Sequence, residues 1–382
     1  MAGKILYLSW SVPPDTSGSA IIALNLARQF TRDEMVLAGE EPRGKPPVRW
    51  DARWPELVYV QHQCPLLRRG QRWWRSLQFP LMVCRCLKLI RKHDVDRIVA
   101  VFPRAHFLLA GYLLARMTGC KFYAYLHNLY FNRVGLAYWF TAWVHGRVFR
   151  RAAHIFVMSE GMSEVLRQQL PELQQTPLVH SFNEPLPQFE EPPPVGSPLR
   201  LIFCGNLVSC HDAAGRFAEA AARSPDTSLS ILSGEDPATL RQFGLLRPGT
   251  TCETVSRDEV PGRLKQADVV LLPHIFRYPP AGRDEYRTIF PTKTIEYLIC
   301  GRPILAHSPA DSFLTQFLVE NDCALVVDRP DVEALCAAIE RLRSDSALRS
   351  RLVRNALKTA EQFQAERVAA EFRKWVDDPK HA

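Results

Sequence analysis

The 382-residue sequence predicts an α/β protein of two Rossmann-like domains whose parallel sheets face each other across a cleft. Three observations lead there. Short, continuous apolar runs alternate with helix-like stretches along the chain, the alternation restarts near residue 199, and a proline-rich segment separates the two series. Strands that read as unbroken apolar runs are covered on both faces, which is the situation in parallel sheets flanked by helices.

In the first series, "KILYLSW", "RIVAVF", "KFYAYLH" and "HIFVMS" are the strand-like runs. Helical patterns occupy residues 18–30, 72–92, 105–117 and 135–151. The second series contains "LRLIFCG", "SLSILSG", "DVVLLPH", "RPILAH" and "ALVVD". Between them, "NEPLPQFEEPPPVGSP" at 183–198 holds too much proline for a helix or sheet interior, so it reads as a semi-rigid linker. The expected domains are therefore residues 1–182 and 199–361. A long terminal helical stretch, 345–376, is expected to break near Gln362, so that a final helix within 362–382 rejoins the first domain.

Composition narrows the class. Apolar residues make up 47% of the chain and charged ones 23%, a globular balance. "MAGKILYLSW" breaks too early for a signal peptide and reads as a first strand. No apolar run reaches the roughly 20 residues that a spanning helix needs. The ten cysteines lack zinc or redox spacing and are expected to be free thiols in a reducing compartment. The net charge of +8 divides into +12 over residues 1–182 and −4 over the remainder. That asymmetry points the first half at an anionic surface.

In doubly wound sheets ligands bind beyond the carboxyl ends of strands, so residues just after strands are the site candidates. "SVPPDTSGSAIIALNLARQF" follows the first strand, and Ser17 and Gly18 lead into a helix start whose free N–H groups suit an anion. An ordinary strand-to-helix turn explains it equally well. His127 ends "YAYLH" and offers a hydrogen bond to a sugar hydroxyl or phosphate oxygen, with a packed structural histidine as the competing reading. Gly205 and Asn206 end the first strand of the second series, where glycine permits close backbone approach and asparagine offers an amide. The loop before residue 289 carries Arg277, Arg283, Asp284, Glu285 and Arg287.

"IFPTKTIEYLICGRPIL", residues 289–305, is the most informative stretch. Pro291 suits a helix start and Thr292 its cap. Lys293 in the first turn opposes the helix dipole, a misfit that an anion bound there would resolve. Glu296 lies on the same helical edge, and a carboxylate accepts both hydroxyls of a vicinal diol such as ribose. A solvated Lys–Glu pair on a half-buried helix is the competing explanation.

This stretch resembles the P-S-K-x-x-E-Y-x-A-x-G-x-P-I-L signature of glycosyltransferase family 4-like enzymes of the GT-B fold. "PPDTSGSAIIALNLARQF" is similar to their first loop and helix, and "IFCGNL" to their second-domain strand end. The likeness keeps the same order over nearly the whole chain. It implies transfer of a sugar from a nucleoside diphosphate sugar, usually with retention and with no bound metal or other cofactor. It further implies that Glu296 holds the ribose, that Thr292, Lys293, Thr294 and Gly18 hold the diphosphate, and that His127 sits beside the transferred sugar.

Several positions depart from that pattern. Thr288 stands where many members have a first glutamate, leaving Asp284 or Glu285 to substitute. Asn206 and, roughly, His211 stand where an arginine and a lysine are usual, so Lys293 and Arg287 become the candidates for neutralising phosphate. Ser17 replaces the first of two paired glycines.

The acceptor side is suggested by residues 66–93, with eight Lys+Arg, no acid, and Trp73, Trp74 and Phe79 interleaved. Residues 138–151 repeat the theme. Basic residues with interfacial aromatics suit an anionic leaflet, although a solvated basic helix is the alternative. The expectation is a cytoplasmic enzyme, peripheral on the inner face of the cytoplasmic membrane, acting on a lipid-linked or envelope saccharide. Three other readings stay open: a nucleotide-sugar epimerase or hydrolase on the same fold, a non-catalytic basic surface-binding protein, and a glycosyltransferase-like protein that Thr288 and Asn206 leave inactive. Nucleic acid is not an expected partner, because no nucleic-acid motif of known spacing occurs.

Overall fold

The computed structural model describes residues 3–42, 50–63, 71–129, 136–207, 210–279 and 282–377. They form two compact units, 1–183 with 363–382, and 184–362.

The first unit contains seven strands, β1 (Lys4–Ser9), β2 (Met35–Glu41), β3 (Glu56–His62), β4 (Val95–Phe102), β5 (Lys121–Leu126), β6 (His154–Val157) and β7 (Gln175–Pro177). All pair in parallel, in the order β3-β2-β1-β4-β5-β6-β7. Their helices are α1 (Gly18–Ala27), α2 (Gln71–Lys92), α3 (Ala105–Thr118), α4 (Leu136–Phe149) and α5 (Glu160–Gln169). Chain order reverses between β1 and β4, and that is where the carboxyl ends of the strands open a crevice.

Apolar continuity located β1, β4, β5 and β6 in the sequence. It missed β2 and β3, and the reason is visible in their composition. β2 ends in Glu40 and Glu41, while β3 is the half-exposed edge strand and carries Glu56, Gln61 and His62. Their ladder bonds to β1 and to each other hold these strands in place. The short β7 was missed for the same reason, with three half-buried residues at the opposite edge.

The second unit has six parallel strands, β8 (Leu199–Cys204), β9 (Thr227–Leu232), β10 (Thr250–Glu253), β11 (Val269–Pro273), β12 (Ile304–His307) and β13 (Leu325–Val327). Their order is β10-β9-β8-β11-β12-β13, with the reversal between β8 and β11. The helices are α6 (His211–Arg223), α7 (Pro237–Gln242), α8 (Val260–Gln266), α9 (Arg283–Thr288), α10 (Lys293–Leu298), α11 (Phe313–Glu320), α12 (Val332–Ser344) and α13 (Ser346–Ala360). Leu201, Phe203, Leu229, Ile231, Val269 and Leu271 join Phe217 of α6 and Ile339 of α12 in one buried core.

The proline-rich segment has neither helix nor strand, but it is anchored within the second unit. Val195 packs on that core, and Arg354 of α13 stacks over Phe189 at 4.5 Å and pairs with Glu191 at 3.5 Å. After α13 a 3-10 turn at Glu361–Phe363 leads into α14 (Ala365–Val376). There the Phe182 N–H donates to Phe363 O at 3.1 Å, and the Ala365 N–H to Phe182 O at 2.9 Å. Fully buried Phe372 meets Phe30 edge-on at 5.7 Å, and Trp375 stacks on His154 at 4.0 Å. Burying a phenylalanine of this kind stabilises by about 1.5–3 kcal/mol, which is what holds the last helix on the first unit.

The nine described cysteines are free thiols, with Cys86, Cys210, Cys300 and Cys323 buried and Cys84 exposed.

Candidate functional site

In the second unit the site grows from the place where β8 and β11 part. The pairing of β11 with β8 covers Leu201 and Ile202 and stops short of Cys204. Successive residues of a strand turn their peptide groups to alternate sides, and the Gly205 N–H goes to Leu232 O of β9. The Cys204 peptide groups therefore face the parted side. Tyr297 of α10 supplies the missing partner: its hydroxyl accepts from the Cys204 N–H at 2.9 Å and donates to Cys204 O at 3.3 Å. The tyrosine is fully buried and fastens α10 across the end of β8.

Tyr297 thereby fixes Lys293, one turn earlier, against the same strand end. The Lys293 ammonium lies 4.2 Å from the centre of the Phe203 ring and 3.5 Å from Asn206 O. Gly205 has a φ of +119°, and a Cβ there would stand 3.2 Å from Lys293 Nζ. Glycine thus serves both the backbone conformation and the close approach of the ammonium. Burial holds the Lys293 pKa below the ordinary lysine range, opposed by the nearby Cys210, Cys204, Glu296 and Glu235. A half-buried ammonium packed against a carbonyl and an aromatic face, and bonded to neither nearby carboxylate, gains from a bound anion.

Glu296 does not pair with Lys293. Its Oε1 accepts from Arg257 Nη2 at 2.5 Å, across 39 residues of sequence. Arg257 begins the 3-10 turn Arg257–Glu259 after β10, braced by reciprocal bonds between Ser256 and Glu259.

The capping expected at this helix is corrected. Thr292 is itself helical, with φ −57° and ψ −33°, and its side chain makes no capping bond. Thr294 is fully buried, its hydroxyl faces the interior, and its N–H is spent on Pro291 O at 2.9 Å. A helix of six residues also has a weak dipole, so the positive potential here comes chiefly from the Lys293 side chain.

The preceding helix is positioned by histidines that the sequence did not single out. His274, at the end of β11, donates from Nε2 to Tyr286 O of α9 at 2.8 Å. His307, at the end of β12, donates from Nδ1 to Val327 O at 2.9 Å, which leaves Nε2 to accept from Arg216 Nε at 2.8 Å. Asp212 accepts from Arg216 at 3.3 Å and from the Phe276 N–H at 3.1 Å, so α6 holds the start of the loop after β11. Burial, the largest cause in each case, pushes His274 and His307 down to about 4, keeping both neutral.

On α9, Thr288 is buried and donates to Asp284 O at 2.7 Å, so the position of the usual first glutamate here completes a helix turn. Asp284 lies 3.9 Å from Arg287 on the same helix, and the partly exposed Glu285 sits in its first turn. His211, in the place of the usual lysine, stacks on Phe243 at 3.6 Å and lies 3.5 Å from Glu235.

In the first unit the counterpart lies beyond β1 and β5. Ser17 caps α1, its Oγ accepting from the Ala20 N–H at 3.3 Å, and Gly18 is the first helical residue. The Ser17 hydroxyl also meets Ser11 Oγ at 2.6 Å. His127 is buried with Nδ1 2.8 Å from Ser19 Oγ of α1, while Nε2 has no hydrogen-bond partner among the described residues. Burial, reinforced by His180, pushes its pKa down to about 3. A neutral imidazole with one nitrogen fixed and the other unpaired suits hydrogen bonding to a ligand.

Two comparisons identify the class. Residues 17–179 match the model of the glycosyl transferase 4-like domain, and residues 198–345 that of glycosyl transferases group 1. The chain belongs to this family of glycosyltransferases and has the GT-B fold. Among solved structures, sucrose-phosphate synthase from Thermosynechococcus elongatus superposes with a TM-score of 0.73 at 16% identity, over 97% of this chain and 98% of that one. HepE from Anabaena, in complex with UDP-glucose, gives 0.69 at 15% identity, over 98% and 99%. TarM gives 0.70 at 8%, over 98% and 99%. No curated protein sequence matches the chain.

Proposed function

We propose that this glycosyltransferase moves a sugar from a nucleoside diphosphate sugar to a saccharide acceptor, lipid-linked or part of a growing envelope glycan, with retention and without a metal. The observation that carries the donor half is the Lys293 ammonium, held against Gly205 and Asn206 with Glu296 one turn along. In this reading Lys293 neutralises the diphosphate, Glu296 accepts from the ribose hydroxyls, and the second unit is the donor domain. HepE, of the same fold, was crystallised with UDP and with UDP-glucose, which supports a nucleotide-sugar donor.

In the reaction the bond from the anomeric carbon to the diphosphate oxygen breaks, and the acceptor oxygen bonds to that carbon on the same face. The acceptor proton passes to the leaving diphosphate. Stabilising the charge that builds on the leaving group is then the main catalytic contribution, and Lys293 is placed for it. His127, with Ser17 and Gly18 nearby, contacts the transferred sugar, and Asp284 or Glu285 serves in place of the absent first glutamate.

The acceptor half rests on the surface of the first unit. On α2, Trp73 and Leu77 are 79% and 74% exposed, and on α4, Trp139 and Trp143 are 71% and 63% exposed. Lys88, Arg91 and Arg147 are exposed on the same helices. Exposed tryptophans with lysine and arginine suit the headgroup layer of an anionic membrane. The basic character expected of 66–93 is reduced in the fold: Arg75 is spent on buried Glu40 at 2.7 Å, Arg85 donates to Val60 O, and Trp74 and Phe79 turn inward. Arg68 and Arg69 lie outside the described residues. Among the described residues no helix is long and apolar enough to cross a membrane.

A thermal-shift panel of nucleoside diphosphates and their sugars tests the donor reading, since a ligand at 100 times its Kd stabilises by about 2.7 kcal/mol. A rise in Tm with at least one is expected, and no rise at millimolar concentration sinks it. Flotation with phosphatidylglycerol vesicles, against phosphatidylcholine alone, tests the membrane reading. Binding is expected to weaken in Trp73→Ser and Trp143→Ser.

A further inference from the structure

We infer that Arg257 reads the base of the donor nucleotide and selects an oxo base, uracil or guanine, over the amino bases adenine and cytosine. This rests on the donor reading of Lys293 and Glu296 and extends it to the one part of the nucleotide that neither residue contacts.

The argument is one of order in space. A nucleoside diphosphate runs from phosphate through ribose to base. Lys293 packs on Phe203, Gly205 and Asn206 at the end of β8, and Glu296 follows one turn along α10. Arg257 bonds to Glu296 from the chain that follows β10, the edge strand two places from β8. A ligand with its phosphates at Lys293 and its ribose at Glu296 therefore carries its base toward Arg257.

The chemistry of the side chain sets the preference. Guanidinium presents five N–H donors and no acceptor. One donor goes to Glu296 Oε1, and among the described residues Nε and Nη1 of Arg257 make no other bond. The remaining donors match uracil O4 or guanine O6 with N7. The adenine 6-amino and cytosine 4-amino groups would set N–H against N–H.

Arg257 is also both held and accessible. Its turn is fixed by the Ser256–Glu259 bonds, while its side chain is 46% exposed. The nearby carboxylates are otherwise engaged, Glu253 by Arg263 and Glu259 by Ser256. An exposed ion pair of this kind is weak enough to be shared with a ligand.

The test is calorimetric titration of the full chain with UDP, GDP, ADP and CDP, in wild type, Arg257→Met and Arg257→Lys. Wild type is expected to bind UDP or GDP at least tenfold more tightly than ADP and CDP. In Arg257→Met that ratio is expected to collapse toward one with ADP affinity retained, and Arg257→Lys, which keeps charge and loses the fork, to restore it in part. A ratio unchanged in Arg257→Met, or no discrimination in wild type, overturns the assignment while leaving the donor reading intact. Absence of binding by all four diphosphates overturns both.

Discussion

The Tyr297 hydroxyl lies 2.9 Å from Cys204 N and 3.3 Å from Cys204 O, taking the place of a neighbouring strand at the open end of β8. This contact ties the helix bearing Lys293 and Glu296 to the strand end that Lys293 packs against. Tyr297→Phe keeps the ring and leaves the part-buried Cys204 N–H and C=O without the hydroxyl that bonds them, a cost of about 1–3 kcal/mol. A urea titration is expected to show that loss, together with weaker nucleoside diphosphate binding. Unchanged stability would mean that Cys204 finds another partner.

Lys293→Met removes the half-buried ammonium with little change of volume. Hydrogen bonds to charged groups contribute about 1.5–3 kcal/mol, so UDP affinity is expected to fall roughly ten- to a hundredfold. Uridine, lacking phosphate, is the control, and calorimetry should show it unaffected. Equal losses for the two ligands would point to a general disturbance of α10.

Glu296→Gln tests the sugar contact. With one carboxylate oxygen replaced by an amide, preference for a ribonucleotide over its 2′,3′-dideoxy analogue is expected to shrink by about tenfold, the effect of one hydrogen bond to a charged acceptor. Competition binding reads this directly. A preference that persists unchanged assigns the diol elsewhere.

Gly205→Ala places a side chain at a φ of +119°, where L-residues are strained by about 1–3 kcal/mol. The added Cβ would also stand 3.2 Å from Lys293 Nζ. Both stability and donor affinity are expected to drop, and wild-type-like binding would show that the ammonium position is unimportant.

Three buried histidines and the part-buried His106 make stability depend on pH. His127 is pushed down to about 3, and His106, His274 and His307 to about 4, burial being the largest cause in each. In the unfolded chain they titrate at the ordinary value of about 6.5. Above that value neither state binds the proton and stability is flat. Below it the unfolded state alone takes up protons, so stability falls with falling pH until the folded values are reached, by about 1.4 kcal/mol per pH unit for each histidine. Denaturant midpoints between pH 7 and 5 should decline, and His127→Gln should reduce the slope by about one proton.

What depends on neighbouring residues was legible in the sequence by itself. Unbroken apolar runs such as "RIVAVF" and "DVVLLPH" marked the buried parallel strands, because a strand covered on both faces has no polar side to show. Lys293 and Glu296 stood out because their spacing places them on one helical edge. The edge strands β3 and β10 escaped, since polar residues such as the buried Gln61 and the exposed Thr251 interrupt any apolar run.

Only the tertiary structure decided what meets across sequence distance. Tyr297 reaches a backbone 93 residues away, Glu296 finds an arginine 39 residues away, and Arg216 locks the tautomer of a histidine 91 residues away. Thr292 and Thr294 went the other way, promising by position yet uncapping or buried once α10 docked. Periodicity reports which face of an element is apolar. Which peptide group is left unpaired where two strands part, and which side chain arrives to satisfy it, is set by the order of strands in the sheet.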